Sequence, residues 1–130
     1  MPKVKQLSAW VEDRPGALGR VAEALGEKKV SIRAFMASSI DGRGFVRLVV
    51  DKPAVAKKVL AANGWALTES DVIEVTLDDR PGALGAVADR LGAAGVNIDY
   101  AYVGHSGLAR KVNLYLSVND LKRGLATLKR

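Results

Sequence analysis

The sequence predicts an α+β protein built of two tandem modules. Each is read as an antiparallel sheet with helices on one face, and the second is read as lacking its last strand. Three observations carry this prediction. The heptapeptide Asp13-Arg14-Pro15-Gly16-Ala17-Leu18-Gly19 returns as Asp79-Arg80-Pro81-Gly82-Ala83-Leu84-Gly85, an offset of 66 residues (79 − 13). Residues 13–32 align with residues 79–98 without a gap, at thirteen identical positions of twenty. The register then persists where identity fades: Val46, Leu48 and Val50 match Val112, Leu114 and Leu116 at the same offset. An internal repeat held through strand-like and helix-like stretches is a duplicated structural unit.

The elements of each copy follow from apolar period. Residues 4–11 alternate, with Leu7, Ala9 and Val11 on one face, and residues 72–77 place Ile73, Val75 and Leu77 likewise. After each Pro-Gly the period changes to helical: Leu18, Val21, Ala22 and Leu25 in the first copy, Leu84, Val87, Ala88 and Leu91 in the second. Pro in the first turn, with an Asp just before it, fits N-terminal capping. A second strand is predicted over 30–37, with Val30, Ile32, Ala34 and Met36 sharing a face, and over 96–103, with Val96, Ile98, Tyr100 and Tyr102 sharing one. Hairpin connections follow at 41–44 and 104–107. Third strands are read over 45–50 and 111–118. Second helices open at Pro53 and at a cap expected to be Asn119. Residues 65–68 alternate as a fourth strand, for which the second copy has no counterpart. The order is β-α-β-β-α-β, the ferredoxin-like layout. We therefore expect two tandem ferredoxin-like βαββαβ modules, over residues 1–70 and 71–130. The edge left by the absent strand is expected to be covered by another segment. The helix-free sheet face is expected to pack on a partner, with Tyr115 as one covering residue. Arg33 and Asp99 hold matching positions with opposite charge.

Composition narrows the function classes. The chain has 130 residues, is 48% hydrophobic and contains no cysteine and one histidine, so thiolate metal sites, disulfides and histidine clusters are excluded. No catalytic constellation and no phosphate-loop signature occurs. No cofactor is therefore expected, and the protein is read as not an enzyme. There is no run of apolar residues long enough to span a membrane and no signal-peptide pattern, which points to the cytoplasm. The net charge is +6, concentrated in residues 1–70 with 12 basic against 7 acidic side chains. Arg43-Gly44-Phe45-Val46-Arg47-Leu48 faintly resembles an RNA-stacking strand, but the second copy has no aromatic there, so nucleic acid is not expected as a partner.

The repeated loop is the candidate site. A strand that turns through Pro-Gly into a helix offers free backbone N–H groups, which favour a carboxylate. Asp13 and Asp79 stand in the loops as hydrogen-bond acceptors. Gly16 and Gly82 allow close backbone approach.

Asp-x-Pro-Gly-x-Leu, followed at the right distance by Gly95-Val96-Asn97-Ile98 or its weaker counterpart Lys29-Val30-Ser31-Ile32, resembles the ACT-domain family, in its short tandem form. The resemblance spans nearly the whole chain. It implies regulatory binding of a small molecule, most often an amino acid, between paired modules, with a homodimer and a separate enzyme as regulated target. The ligand-binding residues it implies are Asp13, Arg14, Pro15, Gly16, Ala17 and Leu18, with Asp79, Arg80, Pro81, Gly82, Ala83 and Leu84. Asn97 joins them from the second strand, and Ser31 stands where the family has Asn. The alternative is an interaction or oligomerisation module with no ligand.

Overall fold

Alternating apolar residues and Gly-bounded helical stretches set ten elements in the computed structural model, which describes residues 3–129. They are β1 (Lys3–Glu12), α1 (Ala17–Glu27), β2 (Ile32–Ile40), β3 (Arg43–Val50), α2 (Pro53–Ala62), β4 (Ala66–Asp78), α3 (Ala83–Ala93), β5 (Ile98–His105), β6 (Lys111–Val118) and α4 (Leu121–Leu128). No helix among the described residues is long and apolar enough to cross a membrane.

The chain divides into two units, Lys5–Ser70 and residues 71–129 with residues 3–4. In the first, β1 and β3 pair antiparallel with Leu7 opposite Leu48 and Ala9 opposite Val46. These four side chains face Val21, Leu25, Ala56, Val59 and Leu60 from α1 and α2, forming one buried core. In the second unit Ile73, Val75, Leu114 and Leu116 face Val87, Leu91 and Leu128 in the same way. Each helix has one buried stripe, and burial of a Leu or Val there contributes roughly 1.5–3 kcal/mol.

The sheet corrects the expected fold class. The strand order is β1-β3-β2-β5-β6-β4 and closes on itself as one barrel-like sheet, where two open antiparallel sheets with helices on one face were expected. The reason lies in β4. The segments read as a fourth strand of the first copy and a first strand of the second are one strand of 13 residues. Glu69-Ser70-Asp71, between them, contains neither Gly nor Pro, so nothing stops the extended chain. Gln6 Nε2 donates to Ser70 Oγ at 3.3 Å, holding β1 to the first half of β4. Lys5 and Lys57 both pair with Glu69, at 3.4 and 2.8 Å. At the second half, residues 3–4 belong with residues 71–129, and Lys3 pairs with Asp71 at 3.8 Å. The N-terminal end of β1 thus lies against the edge that the second copy was expected to leave open.

Two matching β-bulges correct the expected faces. Ile32 lies opposite Val50 but Ala34 opposite Val49, which leaves Arg33 as the extra residue. Ile98 lies opposite Val118 and Tyr100 opposite Ser117, which leaves Asp99. A bulge shifts every later side chain to the other face. Met36 therefore opposes Arg47, not the helix-side residues. Tyr100 and Tyr102 leave the face of Ile98 and join Tyr115, with ring centroids 6.5 Å apart (Tyr100–Tyr102) and 5.7 Å apart (Tyr102–Tyr115). Tyr115, expected to cover an open sheet face, is fully buried at 0% exposure. Its hydroxyl donates to Glu74 Oε2 at 2.9 Å and accepts from Asn113 Nδ2 at 3.2 Å, and Thr76 Oγ1 donates to Asn113 Oδ1 at 2.8 Å. A buried polar chain of this kind holds its side chains in one arrangement, because an unmade bond there costs about 1–3 kcal/mol.

Candidate functional site

The two Pro-Gly loops have the same backbone. Gly16 and Gly82 sit at the N-caps of α1 and α3 with φ of 87° and 89°, in the left-handed region. Arg14 N–H donates to Glu12 O at 3.0 Å, Ala17 N–H to Arg14 O at 3.2 Å and Arg20 N–H to Gly16 O at 3.0 Å. The second copy repeats these bonds at 2.9, 3.3 and 3.1 Å through Arg80, Ala83 and Ala86. The expected Asp cap is not present: no side chain caps either helix, and the glycine takes the cap position. Leu18 and Gly19, and Leu84 and Gly85, then carry first-turn N–H groups that have no acceptor within a helix.

The side chains around each loop are ordered alike. Arg14 folds back onto Glu12, Nε to Oε2 at 3.0 Å, and Arg80 onto Asp78 at 3.6 Å. Asp78 also pairs with Lys111. The Lys111 hydrogen bond and charge, and then Arg80, hold the Asp78 carboxyl below its ordinary range. Asp13, Pro15, Asp79 and Pro81 are exposed, while Ala17 and Ala83 are buried under the turn. Leu18 and Leu84, expected in the core, are 40% and 53% exposed. The buried stripes run Ala17, Val21 and Leu25 in α1 and Ala83, Val87 and Leu91 in α3, beginning one position earlier than expected, which turns Leu18 and Leu84 about 100° away from the stripe.

In the first unit the loop borders a hollow of about 300 Å³ whose far wall is Ala37, Ser38 and Ser39 of β2 with Gly44 of β3. This wall was missed from sequence. Gly44 is its clearest signal: a Cβ there would stand 3.1 Å from Val11 Cγ2 and 3.4 Å from Val11 O, so only glycine lets β3 come this near.

Ser31 and Asn97 are not brought to the loop of their own unit. Each follows an 11-residue helix from it, a path of roughly 16 Å. Both are pinned locally. Ser31 N–H donates to Asp51 Oδ1 and Asn97 N–H to Asn119 Oδ1, each at 2.9 Å. Asn119 is thus a strand tie, and the cap of α4 is Asp120, which accepts from Arg123 N–H at 3.0 Å. Asn97 Nδ2 donates to Asp99 Oδ1 at 3.1 Å, leaving its Oδ1 as the group it can offer.

The strand that resembles an RNA-stacking element has its rings engaged. Phe45 is buried, with the Arg47 guanidinium 4.7 Å from its centroid. Trp10 lies 5.7 Å from Phe45, with Arg43 4.5 Å over the indole.

Two copies of one loop, each opening a helix through a left-handed glycine, agree with the family comparison. The model of the ACT domain pair matches residues 2–119. The chain belongs to the ACT domain pair family. This ACT domain pair is similar in structure to BT0572 from Bacteroides thetaiotaomicron, at 29% identity and TM-score 0.88, covering 98% of this chain and 87% of that one. It is also similar in fold to the ligand-free regulatory subunit of aspartate kinase from Thermus thermophilus, at 16% identity and TM-score 0.71, covering 99% and 96%. The corresponding subunit from Thermus flavus matches at 16% identity and TM-score 0.62, covering 96% and 90%. No curated protein matches this ACT domain pair by sequence.

Proposed function

We infer that this ACT domain pair, with modules over residues 1–70 and 71–130, is a regulatory small-molecule-binding protein whose ligand is an amino acid. It acts on a separate enzyme of amino-acid metabolism, as a cytoplasmic homodimer, without catalysis of its own. The observation that carries this reading is the pair of matching loops. In each, a left-handed glycine opens a helix that no side chain caps. The free N–H groups beyond Gly16 and Gly82 suit a carboxylate, and Asp13 and Asp79 suit the adjacent ammonium. Arg14, Pro15, Ala17 and Leu18, with Arg80, Pro81, Ala83 and Leu84, shape the surrounding wall. The hollow of about 300 Å³ beside the first loop has the size of a single amino acid. Ser31 and Asn97 lie too far along their own units to touch the ligand of their own loop, so in this reading each serves the loop of a neighbouring module. The regulatory role draws support from the aspartate kinase regulatory subunits that share the fold.

A thermal-shift screen against the twenty amino acids tests it. A ligand at 100 times its Kd adds about 2.7 kcal/mol of stability. A selective shift that falls in Gly16→Ala and Gly82→Ala is expected. Flat curves with all twenty would leave an interaction module without a ligand as the surviving reading.

A further inference from the structure

Strand pairing sets which residues of the two units correspond. Phe35 lies opposite Leu48, and Ala101 opposite Leu116. β2 and β5 therefore correspond at an offset of 66 (101 − 35), but β3 and β6 at 68 (116 − 48). This corrects the single offset expected through the third strands. Two residues stand between Ile40 and Arg43, and four between their equivalents Ser106 and Lys111, so the longer turn of the second unit absorbs the difference.

On the helix-bearing face of the first unit, the hollow beside the loop is walled by Val11, Ala37, Ser39, Gly44 and Val46. Ala37 lies opposite Val46, and Gly44 opposite both Ser39 and Val11. The equivalents are Leu77, Val103, His105, Val112 and Leu114, paired in the same way. Each of the five is larger than its counterpart. Ser38 and Phe45 have smaller equivalents, Gly104 and Asn113, but strand alternation turns their side chains to the other face. Val103 stands 54% exposed where Ala37 leaves space. The second wall is thus raised at every position that shapes the hollow in the first.

The first wall is also uncharged. It offers the methyl groups of Val11, Ala37 and Val46 and one hydroxyl, from Ser39. A charged side chain laid there loses water without gaining a partner. Arg14, the cation of the adjoining loop, is folded onto Glu12. We propose that the two loops are unequal sites. The first takes an amino acid with its uncharged side chain in the hollow, and the second has room for the α-carboxylate and ammonium groups alone, so each chain has one strong site. The proposal rests on the ligand reading above, and adds to it which loop fills first and what class of side chain it takes. One methylene too many in such a pocket changes affinity roughly 10- to 200-fold, and the second wall carries several.

Titration calorimetry tests this, with the free amino acid that raises the wild-type Tm most among the twenty as the probe. Ala37→Val with Ser39→His gives the first loop the corresponding side chains of the second, and Val103→Ala with His105→Ser does the reverse. All four positions are exposed, so both variants keep their cores, which unchanged circular dichroism and ligand-free Tm verify. The wild type is expected to bind one equivalent per chain strongly and a second at least about tenfold more weakly, and the amino acid that binds best is expected to have an uncharged side chain. The first variant is expected to lose the strong site and the second to keep it. Two equal sites, a strong site that survives Ala37→Val with Ser39→His, or a charged amino acid as the best binder would overturn the inequality and leave the ligand reading standing. Flat curves with all twenty amino acids would overturn both.

Discussion

Gly124 lets α4 lie close on its sheet. A Cβ there would stand 3.0 Å from Ile73 Cδ1, in the second core, and 3.2 Å from Val118 Cγ2, which packs against that core. Overpacking of that kind costs about 1–3 kcal/mol, so Gly124→Ala is expected to lower Tm by several degrees in a calorimetric scan. Gly16 and Gly82 differ in kind. Nothing lies within 4 Å of a Cβ built on either, and the cost of a side chain is the left-handed backbone alone. Gly82→Ala is expected to cost about 1–2 kcal/mol while leaving the core packing intact, which chemical denaturation would report as a shifted midpoint at constant slope. These glycines were legible in the sequence because Pro-Gly recurs; Gly124 was not, because a helical glycine gives no sign of what its Cβ would strike.

At the scale of elements, the repeat located every helix, and period-two alternation located the strands. What stayed hidden were events that change register without changing composition. The bulges at Arg33 and Asp99 insert one ordinary residue each, and no residue type announces them. The fusion of two expected strands into β4 is a case of missing punctuation: a boundary was assumed at 69–71 where no turn residue stands. The candidate loops were found because their glycines are required, whereas Ser38, Ser39 and Gly44 join the first site only through β2–β3 pairing, which lies in the tertiary structure. If β4 is one strand, hydrogen exchange across residues 66–78 should show continuous slow amides. A fast-exchanging gap at Glu69-Ser70-Asp71 would contradict it.

For the molecule as a whole, each unit carries one carboxylate held below its ordinary range. Glu69 is lowered chiefly by the hydrogen bond from Lys57, then by its charge and by Lys5. Asp78 is lowered chiefly by the hydrogen bond from Lys111, then by its charge and by Arg80. A carboxyl lowered in the folded state stabilises at pH above its unfolded value, and that contribution is lost as pH falls through the folded value. Tm is therefore expected to fall on acidification through the carboxylate range, with a shallower fall in Lys57→Ala and Lys111→Ala. Both pairs are exposed, so added salt should shrink the difference. The division of β1 between Val4 and Lys5 has a consequence for the order of assembly. During synthesis the residues of the first unit are all available once Ser70 has left the ribosome. Lys3 meets its partner Asp71 only 68 residues (71 − 3) after it was made. Residues 3–4 thus wait for the later half of the chain, and the second unit is finished by a segment translated before any of the first.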